Sequence, residues 1–122
     1  MDTNYNEIGI KAFQEKRYEE AAQAFTQAIE SQPTDAIGYV NFGTLLAAMG
    51  DIERSERFFQ KAITVDETAA TAYYGLANLY YEAERYTEAA KLYQKSIDFG
   101  IEGADAFYML AKSFEREQQF KL

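Results

Sequence analysis

A fixed offset of 34 positions relates the aromatic residues Tyr5, Tyr39, Tyr73 and Phe107. The same offset relates Ile8, Phe42, Leu76 and Leu110, and directly after them the small residues Gly9, Gly43, Ala77 and Ala111. It continues through Tyr18, Ile52, Tyr86 and Phe120, through Ala21, Ser55 and Ala89, through Phe25, Phe59 and Tyr93, and through Ala28, Ala62 and Ser96. Self-similarity at such a period restricts the chain to stacked supersecondary units, because one unit alone cannot cover its own apolar surface. Within each period the apolar steps are three and four, as in 5, 8 and 12 or 18, 21, 25 and 28, which is the spacing of helix rather than strand. Each unit therefore reads as two short amphipathic helices, over about residues 2–35, 36–69 and 70–103, with a fourth unit starting at Ala104. The first helix of that unit falls near 104–117, and Gln118–Leu122 read as the opening of a second.

Composition narrows the chemistry. The 122 residues suit a single domain that buries roughly two thirds of its unfolded surface. With one proline, Pro33, and no Gly-, Ser- or Pro-rich stretch, order is expected from end to end. The absence of cysteine and histidine removes thiol nucleophiles, disulfides, Cys/His zinc sites and imidazole acid–base schemes together. A net charge of −8 without any Lys/Arg cluster repels phosphate backbones and anionic lipid, so nucleic acid and membrane surfaces are excluded as partners. No apolar run approaches the roughly 20 residues a spanning helix needs. The first residues lack the basic and apolar regions of a secretion signal, which makes the cytoplasm the expected compartment.

Turn and cap signals agree with the unit boundaries. Gly50-Asp51 and the Gly100–Gly103 segment read as helix stops, and Thr34 and Thr68 occupy the same phase as candidate N-caps of first helices. The acidic pairs Glu19-Glu20 and Asp66-Glu67 stand without a nucleophile motif or phosphate loop, and they read as solvated helix surface rather than catalytic dyads or metal ligands. No enzyme activity, metal or cofactor is expected.

The pattern aromatic-x-x-aliphatic-small, followed by small-x-x-x-aromatic-x-x-small at this period, resembles the tetratricopeptide repeat over essentially the whole chain. Tryptophan never fills the first aromatic column, and of the closing prolines only Pro33 is present. The resemblance implies an all-α, right-handed solenoid of antiparallel helix pairs, three full units plus the first helix of a fourth, similar to small bacterial proteins made only of such units. It also implies a role in binding other proteins. The signature columns account for most of the aromatics as core: Tyr5, Tyr18, Tyr39, Tyr73, Tyr80, Tyr86 and Tyr93, with Phe25, Phe42, Phe59, Phe107, Phe114 and Phe120.

On the first helices Tyr74, Tyr81, Tyr108 and Phe13 remain, sharing a phase distinct from the core stripe. In the family that phase of the first helices lines a concave groove for peptides or partner helices. Carried over residue by residue, the groove comprises Asn6, Ile10 and Phe13, then Ile37, Val40, Asn41 and Thr44, then Tyr74, Asn78 and Tyr81, then Tyr108 and Lys112. Tyr supplies flat area at small entropy cost, and Asn supplies donors and acceptors for a bound main chain. Residues 36–50 carry no charge, whereas second helices are rich in it. The clamp with which some family members hold acidic chaperone tails is not matched: Asn41 fits, but Asn6, Thr71 and Gly75 stand where cations are needed.

Three roles fit these residues: a scaffold binding a peptide or helix of another protein, a module that self-associates through its C-terminal end, or a non-catalytic subunit of an enzyme assembly. The apolar columns Phe107, Leu110 and Phe114 continue to the end of the chain, which suggests either a longer array or pairing with a second copy.

Overall fold

Each apolar stripe with a period of three and four residues forms an α-helix, and the computed structural model describes residues 3–120 as seven of them. They are α1 (Tyr5–Gln14), α2 (Tyr18–Ser31), α3 (Ala36–Ala48), α4 (Ile52–Val65), α5 (Ala70–Glu82), α6 (Tyr86–Asp98) and α7 (Asp105–Phe120). Helices α1 and α2, α3 and α4, and α5 and α6 form antiparallel pairs, and α7 packs on α6. The architecture is all-α, three helix-pair units plus one helix. The chain falls into two compact units, one of α1–α4 up to Glu67 and one of α5–α7 from Thr68. No helix among the described residues is long and apolar enough to cross a membrane.

The turn inside each pair recurs with the same period. Lys16, Gly50 and Glu84 all adopt positive φ, 62°, 84° and 62°. At each one the helix closes by the same pair of backbone bonds: Lys16 N to Phe13 O and Arg17 N to Ala12 O, Gly50 N to Ala47 O and Asp51 N to Leu46 O, Glu84 N to Tyr81 O and Arg85 N to Tyr80 O. These satisfy carbonyls that the helix end leaves open, and the left-handed residue is what lets the chain reverse within three positions. Helix α6 ends in the same way at Gly100, whose φ is 89°. In contrast, α2 and α4 end at Gln32 and Asp66 in conformations with negative φ and positive ψ.

Within a pair, a small residue on the first helix receives an aromatic ring from the second. A Cβ added at Gly9 would stand 2.5 Å from Cδ1 of Phe25 and closer still to Cε1, and one at Gly43 would stand 3.0 Å from Cε1 of Phe59. In the third pair Ala77 and Tyr93 share one buried cluster. The Ser55 hydroxyl, fully buried on α4, donates to the Gly43 carbonyl at 2.7 Å across the same close approach.

Several expectations are corrected. Thr34 and Thr68 are not the caps: α3 is capped by Asp35, whose carboxylate accepts from Ile37 N at 3.0 Å, and α5 starts after Ala69 with no side-chain cap. The carboxylate one position further on has the reach, and at the helix N-terminus its charge is favoured. Gln118–Phe120 do not open a second helix; they extend α7, since Gln118 holds the place of the left-handed turn residue without leaving helical geometry. Phe107, Phe114 and Phe120 are exposed rather than core, because among the described residues no helix follows α7 to pair with it as α6 pairs with α5. Ile8 is likewise half exposed, unlike its equivalents Phe42 and Leu76.

Two stability predictions follow from these turns and contacts. Gly9→Ala lowers stability by about 1–3 kcal/mol through overpacking on Phe25, although alanine in a helix interior is otherwise favoured over glycine by about 0.5–1 kcal/mol. Gly43→Ala, with more room, comes out near neutral, and urea unfolding of both variants distinguishes the two sites. Lys16→Gly and Glu84→Gly each raise stability by about 0.5–1 kcal/mol, since glycine adopts positive φ without steric cost; the readout is the thermal midpoint.

Candidate functional site

In the first compact unit the predicted residues of α1 and α3 meet. Asn41 donates through Nδ2 to Oδ1 of Asn6 at 2.9 Å, bridging the two first helices. This uses one polar atom of each amide and leaves the other kinds, an acceptor on Asn41 and a donor on Asn6, for a ligand. Both residues line a cleft of about 950 Å³ together with Ile10, Ile37, Gln32 and Asp35. Ile10 and Ile37 are 41% and 51% exposed, so each presents aliphatic surface beside the amide pair. Among the described residues, the charged groups lining the cleft are Glu7 and Asp35, and no cation is among them.

The remaining predicted residues of this unit behave differently. Val40 is buried and packs in the core, so it has no surface to offer; on a helix as apolar as α3 the groove phase and the core phase run into each other. Thr44 is exposed but turns its hydroxyl back to the Val40 carbonyl at 2.9 Å. Phe13 is half-buried, edge-on to Tyr18 at 5.8 Å and packed on the Ala12, Phe25 and Leu45 cluster. Gln32 and Asp35, from the α2–α3 loop, were missed by a reading confined to first helices. Their signal was the helix stop at Pro33, which places that loop beside the start of α3.

In the second unit the predicted residues are mostly occupied with one another's support. Asn78 Oδ1 accepts from the Tyr93 hydroxyl at 2.5 Å. The Tyr74 ring meets Tyr93 edge-on at 5.7 Å, and Tyr81 meets Tyr86 at 5.1 Å. The Tyr81 hydroxyl, with Tyr86 and Glu115 nearby, holds the Arg116 guanidinium of α7 above its ordinary value. Tyr74 and Tyr81 are thus half-buried aromatics with a packing role, contrary to the expectation that they lack one. Tyr108 is exposed, with Lys112 Nζ 5.9 Å from its ring centroid, an arrangement in the range of a cation–π contact. Burial, then the nearby Tyr74, Tyr81 and Glu82, push the Tyr93 phenol well above its ordinary value.

Residues 34–102 match the family described as tetratricopeptide repeat, and residues 3–35 match another description of the same repeat. A segment of 40 residues is 52% identical to the TPR repeat-containing protein YrrB of Bacillus subtilis (strain 168), covering 33% of this chain and 19% of that protein. The solved structure of YrrB, described as a TPR protein with an unusual peptide-binding site, matches with a TM-score of 0.77 and 44% identity. That match covers 83% of this chain and 52% of YrrB, so the chain spans about half of the solved relative. The Sgt2 TPR domain from Aspergillus fumigatus matches with a TM-score of 0.85 at 24% identity, over 96% of this chain and 79% of that one. The first TPR of Spaghetti (RPAP3), bound to the HSP90 peptide SRMEEVD, matches with a TM-score of 0.81 at 19% identity, over 91% and 88%. At these lower identities the likeness concerns the fold alone.

The Tyr93 environment makes a pH prediction. In the unfolded chain the phenol ionises near pH 10, and in the folded chain its value is raised. Above pH 10 the folded state therefore holds more protons than the unfolded one, and stability present below that pH is lost as pH rises. Tyr93→Phe removes this contribution and flattens the alkaline decline, at the cost of about 1 kcal/mol at neutral pH from the lost bond to Asn78. Urea unfolding at pH 7 and pH 10.5, a range set about the phenol value, measures both effects.

Proposed function

The chain belongs to the tetratricopeptide repeat family, and we propose that it is a non-catalytic interaction module that holds an extended segment of another protein against its first helices. The observation that carries this reading is the Asn6–Asn41 pair in the α1–α3 cleft, flanked by the exposed Ile10 and Ile37. A peptide main chain needs a donor and an acceptor at close spacing, and the two amides offer one of each; the isoleucines seat its side chains. The description of YrrB as having a peptide-binding site supports the same role by relationship. In the second unit, Tyr108 is the exposed group of the predicted face, with the half-buried Lys112 beside it, and Tyr74, Asn78 and Tyr81 serve there as its half-buried backing.

Electrostatics select the ligand. Glu7 and Asp35 make the α1–α3 cleft anionic, and a tail ending in carboxylates meets repulsion with no guanidinium or ammonium among the described lining residues to pair with. The preferred segment is therefore neutral or basic.

Selection of random dodecapeptides against the intact chain tests the reading. Enriched peptides are expected to lose affinity by about tenfold or more, the scale of a lost hot spot, when Ile10→Asp and Ile37→Asp are combined, with the thermal midpoint unchanged because both residues are exposed. The peptide SRMEEVD, bound by RPAP3, is expected to show no saturable binding by calorimetry. Selected peptides that bind the double variant as well as the parent would refute the cleft as the site.

A further inference from the structure

Two carboxylates line the α1–α3 cleft, Glu7 in the first turn of α1 and Asp35 at the cap of α3. The repeat requires neither. At successive periods the place of Glu7 is taken by Asn41, Gly75 and Met109, and the place of Asp35 by Ala69 and Gly103. Helix α5 starts after Ala69 with no side-chain cap, so a repeat of this chain folds without a charge in either column. Asp35 does cap α3, with Oδ1 accepting from Ile37 N, but an asparagine serves that bond as well as an aspartate.

Carboxylates beside the turns inside the helix pairs have cations: Glu15 and Glu20 pair with Arg17, Asp51 with Arg54, and Glu88 with Arg85. Glu7 and Asp35 are exposed and, among the described residues, belong to no ion pair. Lys11, one turn along α1 from Glu7, does not line the cleft. Aliphatic surface stands close to each carboxylate, since the exposed Ile10 follows Glu7 by three positions and the exposed Ile37 follows Asp35 by two. Exposed aliphatic surface ending in a carboxylate is the complement of a lysine or arginine side chain, which has an apolar stem and a charged head.

Taking the cleft as the peptide-binding site proposed above, we infer that the bound segment carries a lysine or arginine whose stem lies on Ile10 and Ile37 and whose cation is held by Glu7 and Asp35. The Asn6–Asn41 pair offers its donor and acceptor to a main chain whatever the sequence, so selection among segments falls to the isoleucines and the carboxylates. The net charge of −8 steers a basic segment toward the chain. Because both carboxylates are exposed, their contribution is modest and falls as salt rises.

The test takes the dodecapeptides enriched on the intact chain and replaces their basic residue by norleucine, which keeps a stem and removes the cation. Enriched peptides are expected to share a lysine or arginine. Norleucine should weaken binding by about three- to tenfold, the scale of one or two exposed charge pairs, at about 0.05 M salt and by less at about 0.5 M. On the chain carrying Glu7→Gln and Asp35→Asn, the basic and norleucine peptides should bind alike. The melting curve should hold, since asparagine keeps the α3 cap; should it not, Glu7→Gln alone makes the comparison and narrows the difference. Enriched peptides without a basic residue, or a norleucine effect equal on the parent and the variant, overturn the inference. If binding is then still lost when Ile10→Ser and Ile37→Ser are combined, the cleft remains the site and only its selection of a cation is wrong. Peptides indifferent to the isoleucine changes, or no enrichment at all, refute the cleft itself.

Discussion

The seating of an aromatic ring on a residue with little or no side chain is the contact on which the rest of the structure depends. Phe25 occupies the space that a Cβ at Gly9 would need, and Phe59 does the same at Gly43 with less pressure. This close approach brings the two helices of a pair near enough for the Ser55 hydroxyl to reach a carbonyl of the facing helix. It also orients each first helix so that its remaining faces point away from its partner. Where the small residue is alanine, the third pair uses Tyr93, and the hydroxyl that comes with the larger ring is satisfied by Asn78. One substitution in the column of small residues is thereby coupled to a polar residue on the facing first helix.

The turns show how a repeat tolerates local cost. Inside the three helix pairs the left-handed position is glycine only at Gly50; Lys16 and Glu84 also take positive φ, with a side chain. Their backbone bonds are the same as those at Gly50, so the tertiary pairing of the helices outweighs the strain. Charge behaves in a parallel way. Arg17 pairs with Glu20 and Arg85 with Glu88, while in the middle unit Asp51 pairs with Arg54, the same spacing with the signs exchanged. These exposed pairs add little stability, and the exchange shows that the spacing of the pair, not its polarity, is compatible with the turn. Asp51 in addition caps α4 through Arg54 N, which neither arginine does at its own helix.

The proposed peptide-binding face is legible in part. Asn6, Ile10, Ile37 and Asn41 follow from the groove positions that the family resemblance implies, and phase keeps them together within each helix, because a helical position three or four residues from another lies on the same side whatever surrounds it. Val40 shares that phase and is buried, since α3 is apolar around most of its circumference and has neighbours on more than one side. Tyr74, Tyr81 and Phe13, left over when the repeat columns are subtracted, are instead half-buried on the rings of Tyr93, Tyr86 and Tyr18. A large ring placed beside another ring becomes part of the core by contact, and periodicity carries no information about ring size.

The sequence by itself determined the helices, their pairing and the period, because these rest on local spacing and on columns repeated several times over. It also determined which residues are small where helices touch. The tertiary structure alone decided how much of each column is covered. Tyr73 and Phe107 occupy one column, yet the first is buried against Phe99 and the second lies open. Likewise the amide bridge between Asn6 and Asn41 joins residues of two successive repeats, and Asp35 rather than Thr34 caps α3. Burial and hydrogen bonding depend on what lies opposite in space, and the period of a chain specifies what a residue can face without specifying whether anything is there.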